Sequence, residues 1–101
     1  MTRSNEPLGE IASEVLFEND KVKVWNLVVE PGEASDWHMH GNDYVTVVVE
    51  GEGLMVQYED GTEQDSPSEV GTCRFHGEHK IHRVVNNRDV RYKNVLIELK
   101  S

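Results

Sequence analysis

Pro31-Gly32-Glu33-Ala34-Ser35-Asp36-Trp37-His38-Met39-His40 is the stretch on which the reading of this chain turns, and His82-Arg83-Val84-Val85-Asn86 answers it later in the sequence. Side chains alternate with a period of two along a strand, so in a β-rich chain the imidazoles of His38 and His40 point to one face. A third histidine carried over that face by the fold would complete a metal site. Imidazole suits zinc, copper, iron and nickel, and three imidazoles leave positions open for water or substrate.

The surrounding sequence is β-rich. Gly, Pro, Asn and Asp recur at short intervals, and no segment sustains a helical apolar period. Strands are predicted over residues 11–17, 22–30, 44–50, 54–58, 70–75, 81–85 and 90–99. Turns fall at Asn19-Asp20, Pro31-Gly32, Glu50-Gly51-Glu52-Gly53, Asp60-Gly61, Ser66-Pro67-Ser68 and Asn86-Asn87-Arg88-Asp89, all residues that tolerate turn conformations. Residues 1–10 read as a loose N-terminal arm or an added edge strand. Val45-Thr46-Val47-Val48-Val49 is apolar or β-branched on both faces, which a strand with one solvated face does not need. The expected cover for its outer face is a second copy of the chain, in a homodimer.

A chain of 101 residues suits one domain, 1–101, in which a single barrel or sandwich uses nearly the whole length. Ten Lys and Arg against nineteen Asp and Glu give a net charge of −9, which repels nucleic acid and anionic membrane surfaces and leaves neither as an expected partner. Cys73 has no second cysteine to pair with, and Met1-Thr2-Arg3-Ser4-Asn5-Glu6-Pro7 lacks the apolar core of a signal peptide. No apolar run approaches membrane-spanning length, so the expectation is a soluble protein of a reducing cytoplasm.

The two histidine stretches resemble the paired motifs of the cupins, in their small single-domain conserved-barrel form. The first family motif runs Gly, five residues, His-x-His, three or four residues, Glu, six residues, Gly. Here Gly32, His38-Met39-His40, Tyr44 and Gly51 occupy that frame. The second runs Gly, five residues, Pro-x-Gly, two residues, His, three residues, Asn, and Gly71, Gly77-Glu78-His79, His82 and Asn86 occupy it. The motifs and their strands cover about residues 22–99. The resemblance implies an all-β double-stranded β-helix, or jelly-roll barrel, with a metal in its mouth held by His38, His40 and His82. Three departures stand out: Tyr44 replaces a metal-binding Glu, Gly77 replaces the Pro, and His79 replaces the second Gly.

Tyr44 alters the chemistry, because neutral histidines do not offset the charge of a divalent cation as a carboxylate does. It is the candidate catalytic residue, either as a hydrogen-bond donor that orients substrate or dioxygen, as a metal ligand through a depressed phenol pKa, or as a ring that fills the barrel. His76 and His79 flank the second motif, either lining the mouth as proton carriers or standing on an exposed loop. Trp37 and Met39 have the opposite parity to the histidine pair and are expected beneath it or at the dimer seam. Arg83 points away from the site by parity. Asn86 is expected to hold a turn, and Cys73 to be a small buried hydrophobe. The glycines of Glu50-Gly51-Glu52-Gly53 serve a hairpin corner, since no helix follows to make a phosphate loop.

These readings imply a metal-dependent enzyme acting on a small molecule, with iron, nickel, manganese or zinc as the divalent ion. Oxygenation, isomerisation and lyase chemistry on a compact acid all fit. The alternative is a barrel that binds or senses a small ligand without turnover.

Overall fold

The computed structural model describes residues 9, 12–77 and 79–100. Within them the chain forms strands β1 (Glu14–Glu18), β2 (Val22–Val29), β3 (Tyr44–Glu50), β4 (Gly53–Tyr58), β5 (Glu63–Pro67), β6 (Cys73–His76), β7 (His82–Val85) and β8 (Tyr92–Leu99). All pairings are antiparallel and make two sheets, one in the order β1-β2-β8-β3-β6 and the other β5-β4-β7. This is the expected all-β, double-stranded β-helix architecture. Among the described residues no helix is long and apolar enough to cross a membrane.

Register decides which side chains face inward. β2 and β8 pair with Trp25 opposite Leu96, Leu27 opposite Asn94 and Val29 opposite Tyr92, and all six side chains are buried. β3 adds Tyr44, Thr46 and Val48 to the same face, and Leu54 of β4 closes on them from the smaller sheet. Burying a side chain of this size contributes about 1.5–3 kcal/mol, so this cluster is the main tie between the two sheets.

The opposite parity on the larger sheet makes an apolar row across all five strands: Phe17, Val24, Ile97, Val45 and Phe75 are paired in succession. Phe17 and Phe75, at its two ends, are 54% and 64% exposed. At the β3–β4 corner, Gly51 and Gly53 have φ of 103° and 129°. A Cβ on Gly53 would stand 2.4 Å from the Ser66 carbonyl oxygen, so the close passage of β5 requires glycine there.

Several boundaries differ from the sequence expectation. β6 starts and ends later than the predicted 70–75, and β8 begins at Tyr92 because residues 88–90 complete the preceding turn. β5 was not foreseen, and Ser66-Pro67, read as a turn, closes it. Its sequence Glu63-Gln64-Asp65-Ser66-Pro67 is polar throughout because it is an edge strand, where charges and a terminal proline discourage further pairing. Cys73, expected to be buried, is exposed, since it pairs with Val47 on the outward face. Most of the expected N-terminal arm, the start of the predicted strand 11–17 and Glu78 of the second motif lie outside the described residues. Gly9, within that arm, donates its N–H to the Trp37 carbonyl at 2.8 Å.

Candidate functional site

The connection from β2 to β3 carries the first histidine pair and runs antiparallel along the free edge of β7. Ser35 N–H donates to the Val84 carbonyl, and His38 and His82 exchange N–H to carbonyl bonds in both directions, each at 2.9 Å. The His-x-His pair therefore lies on an extended segment bridged to β7 and outside the regular strands. Extended backbone preserves the alternation: His38 and His40 are each 2% exposed, whereas Met39 between them is 47% exposed.

The fold brings His82 onto the same face as this pair. Ring centroids of His38 and His82 are 4.5 Å apart, those of His38 and His40 5.0 Å, and those of His40 and His82 5.3 Å. One ligand atom from each ring lies within 4.8 Å of the others. Nitrogens around an ion at roughly 2.0–2.1 Å stand no more than about 4.2 Å apart, so small ring rotations close the set.

Two of the rings are oriented by the same local device. His38 Nδ1–H donates to the Asp36 carbonyl at 2.8 Å, and His82 Nδ1–H to the Lys80 carbonyl at 2.9 Å. A carbonyl only accepts, so the proton sits on Nδ1 and Nε2 presents a lone pair. His40 Nδ1 is buried without a hydrogen-bond partner among the described residues, an orphan of the kind that ligation removes.

Burial also keeps the rings of His38 and His40 neutral. It pushes His38 down to about 4, against the opposing pull of the Asp36 carbonyl and with help from nearby His82. It pushes His40 down to about 3, reinforced by His38, His82, His76 and His79. Neutral imidazole is the form that binds metal, so the donor set fits a divalent ion.

Tyr44 is buried with its ring between two histidines. It stacks on His40 at 3.8 Å and on His76 at 4.5 Å, nearly parallel to both. The structure thus gives it a wall position against a candidate ligand. The three histidines and Tyr44 line a cavity of about 530 Å³ between the sheets.

His76 belongs to this cavity, where its Nε2 lies 2.9 Å from Thr46 Oγ1. Thr46 and Arg74 line it too, and neither was singled out from the sequence. The available signal was parity: with β6 in register, Arg74 and His76 face inward opposite Thr46 and Tyr44. His79 is exposed and lies 3.0 Å from Asp43, away from the cavity wall. Arg83 bonds Gln57 and lies over the half-buried Trp37 ring at 4.9 Å, outside the cavity. Asn86, fully buried, donates to the Val29 and Val90 carbonyls and accepts from Arg88 N–H, holding the turn that follows β7.

Among solved structures, a cupin domain from Bordetella pertussis Tohama I superposes with a TM-score of 0.77 at 28% identity, covering 92% of this chain and all of its own. A conserved protein with a double-stranded β-helix domain from Klebsiella pneumoniae gives 0.69 at 21% identity, covering 98% of this chain and 83% of its own. A sugar phosphate isomerase of the cupin superfamily from Silicibacter pomeroyi gives 0.58 at 22% identity, covering 80% of this chain and 52% of its own. No family model matches the chain, and no curated protein matches it.

Proposed function

We propose that this chain, a small cupin, holds one divalent metal ion through His38, His40 and His82 and acts as a metal-dependent enzyme on a small anionic molecule. The observation that carries the reading is the convergence of three imidazoles, with donor atoms within 4.8 Å, on the wall of the cavity between the sheets. A bound iron, nickel, manganese or zinc ion would supply Lewis acidity and open positions for a substrate oxygen.

The rest of the chemistry belongs to the side chains. Three neutral donors leave the ion's charge uncompensated, and an anionic ligand is the natural counter-charge. Tyr44 is proposed as the catalytic residue, its ring clamped between His40 and His76 so that the phenol is presented from a fixed position. His76, bonded to Thr46, places a second proton-carrying group in the wall. The neighbour described as a sugar phosphate isomerase supports an enzymatic use of this barrel, in which oxygenation, isomerisation and lyase chemistry are the candidate reactions. A cytoplasmic location accords with the single Cys73.

A homodimer is part of the proposal. The row from Phe17 to Phe75 offers a continuous apolar band on the outside of the larger sheet, and a two-fold partner presents the same band in return.

Elemental analysis tests the central reading. About one divalent ion per chain is expected in the wild type, with sharp loss in His38→Ala, His40→Ala and His82→Ala variants that remain folded. Full metal content in all three would overturn it. His79→Ala is expected to keep its metal, and metal loss without turnover of any small acid would leave a binding module in place of an enzyme.

A further inference from the structure

Arg74 is a cationic side chain in a cavity whose wall, among the described residues, has no acid turned toward it. Asp65 contributes to the wall but sits on β5 opposite Met55, the parity opposite to its lining neighbours Gln64 and Ser66, and its carboxylate pairs with Arg88 at 2.9 Å. Arg74 is held by neutral groups. Its Nη1 donates to Ser66 Oγ at 3.3 Å and Ser68 Oγ at 3.0 Å, and its Nη2 donates to the Pro67 carbonyl at 2.8 Å. Those contacts occupy three of its N–H groups, and a guanidinium has five. The remaining two have no partner among the described residues, and no carboxylate there pairs with the charge. The guanidinium is fixed in direction while its charge stays unanswered, the arrangement that costs least when an incoming anion supplies the answer.

Its place relative to the histidines is set by register. Tyr44 pairs with His76 at the level of the histidine cluster, and Thr46 pairs with Arg74 two residues along. Two residues of strand span roughly 7 Å, the length of a short carbon chain. At the far end the buried Tyr92 hydroxyl accepts a hydrogen bond from Asn94 Nδ2 at 2.9 Å, and Asn94 Oδ1 is buried without a partner among the described residues. Burial raises the Tyr92 pKa, and the bond from Asn94 and the nearby Arg74 charge oppose that rise. A neutral phenol beside the guanidinium adds a second donor for the same oxyanion.

We propose that Arg74 is the specificity-determining residue of this site, binding the carboxylate of a compact organic acid whose other oxygen function faces His38, His40 and His82. The inference rests on the cavity being the ligand site proposed above. A carboxylate is favoured over a phosphate because the wall, among the described residues, offers one guanidinium fork and no lysine or second arginine. One fork matches a monoanion in bidentate geometry, whereas a phosphate dianion draws several cations or a cradle of backbone N–H groups.

Calorimetric titration with malonate, on chelator-treated and on zinc-loaded protein, tests this. Metal-free wild type is expected to bind malonate at millimolar concentration, Arg74→Gln at least tenfold more weakly, and Arg74→Lys several-fold more weakly because it keeps the charge and loses the fork. Malonamide, the neutral analogue, is expected to bind wild type and Arg74→Gln alike. Both variants are expected to keep the wild-type zinc content, which separates this proposal from the metal assignment: loss of the histidine site would leave the metal-free malonate difference standing. Equal malonate affinity in wild type and Arg74→Gln, or no binding to wild type at tens of millimolar, would overturn the proposal. Inorganic phosphate binding more tightly than malonate with the same dependence on Arg74 would overturn the choice of carboxylate.

Discussion

Acidifying the metal-free protein removes stability in a window set by two buried rings. His38 falls from 6.5 to about 4 on folding and His40 from 6.5 to about 3, in both cases chiefly because burial penalises the charged form. Between those values the unfolded chain binds protons that the folded chain refuses, so acid favours unfolding. The stability is complete above about pH 6.5 and is lost as the pH falls toward 4 and 3. From pH 7 to pH 5 each ring costs about 2 kcal/mol, and the pair about 4 kcal/mol, by the usual conversion of about 1.4 kcal/mol per unit. That is a large part of the 5–15 kcal/mol typical of a whole domain. Urea unfolding of chelator-treated protein at pH 7, 6 and 5, followed by tryptophan fluorescence, is expected to show the midpoint dropping steeply. His38→Gln and His40→Gln should each remove about half of the slope, since each deletes one proton-refusing ring. A midpoint that stays constant from pH 7 to 5 would refute the claim that these imidazoles are held neutral by burial.

Tyr44→Glu, which restores a carboxylate beside the histidines, is expected to tighten zinc and to weaken malonate binding to the zinc-loaded protein, both read by calorimetry. Tyr44→Phe keeps the stacked ring, so metal content and melting temperature should match wild type while any turnover falls; unchanged turnover would reduce Tyr44 to packing. Asn86→Ala removes two donors and an acceptor belonging to one fully buried side chain and should cost about 2–4 kcal/mol in urea unfolding, with a loss below about 1 kcal/mol counting against its structural weight. Light scattering should give a dimer for the wild type and a monomer for Phe17→Lys combined with Phe75→Lys; a wild-type monomer would remove the proposed partner.

The His38–His40 pair was legible from spacing and parity, and His82 was added to it by the resemblance to the paired cupin motifs. His38 and His40 share a face in any extended backbone, and the bridge to His82 supplies the third ring even though no regular strand contains the pair. The strongly patterned strands β2, β3 and β8 were legible for the same reason. β5 was hidden because an edge strand carries no apolar alternation, and without it neither Ser66 nor Ser68 could be seen as the seat of Arg74. Arg74 was missed, and His76 was left between the mouth and an exposed loop, because inward parity on β6 follows from its register against β3, a long-range property that a four-residue strand does not announce. Cys73 was misplaced by the same ignorance of register. Tyr44 was recognised as the departure that matters, but its sandwich between two imidazoles comes from three separate strands and loops.

The two-way bond between the backbones of His38 and His82 makes the candidate site a staple of the barrel. It joins chain segments far apart in sequence, with β3 to β6 spooled between them, and among the described residues it is reinforced on the first-motif side by a handful of loop bonds. An ion gripped by both residues would lock that long loop shut, and cross-linking a loop of such length is worth roughly 3–5 kcal/mol on chain entropy alone. The segment along β7 then becomes the part of the barrel whose opening is governed by the ion, while β2, β8 and β3 keep their own core. Hydrogen exchange at the amides of His38 and His82 would therefore read occupancy of the centre directly, so that the seam closed by the ion doubles as its gauge.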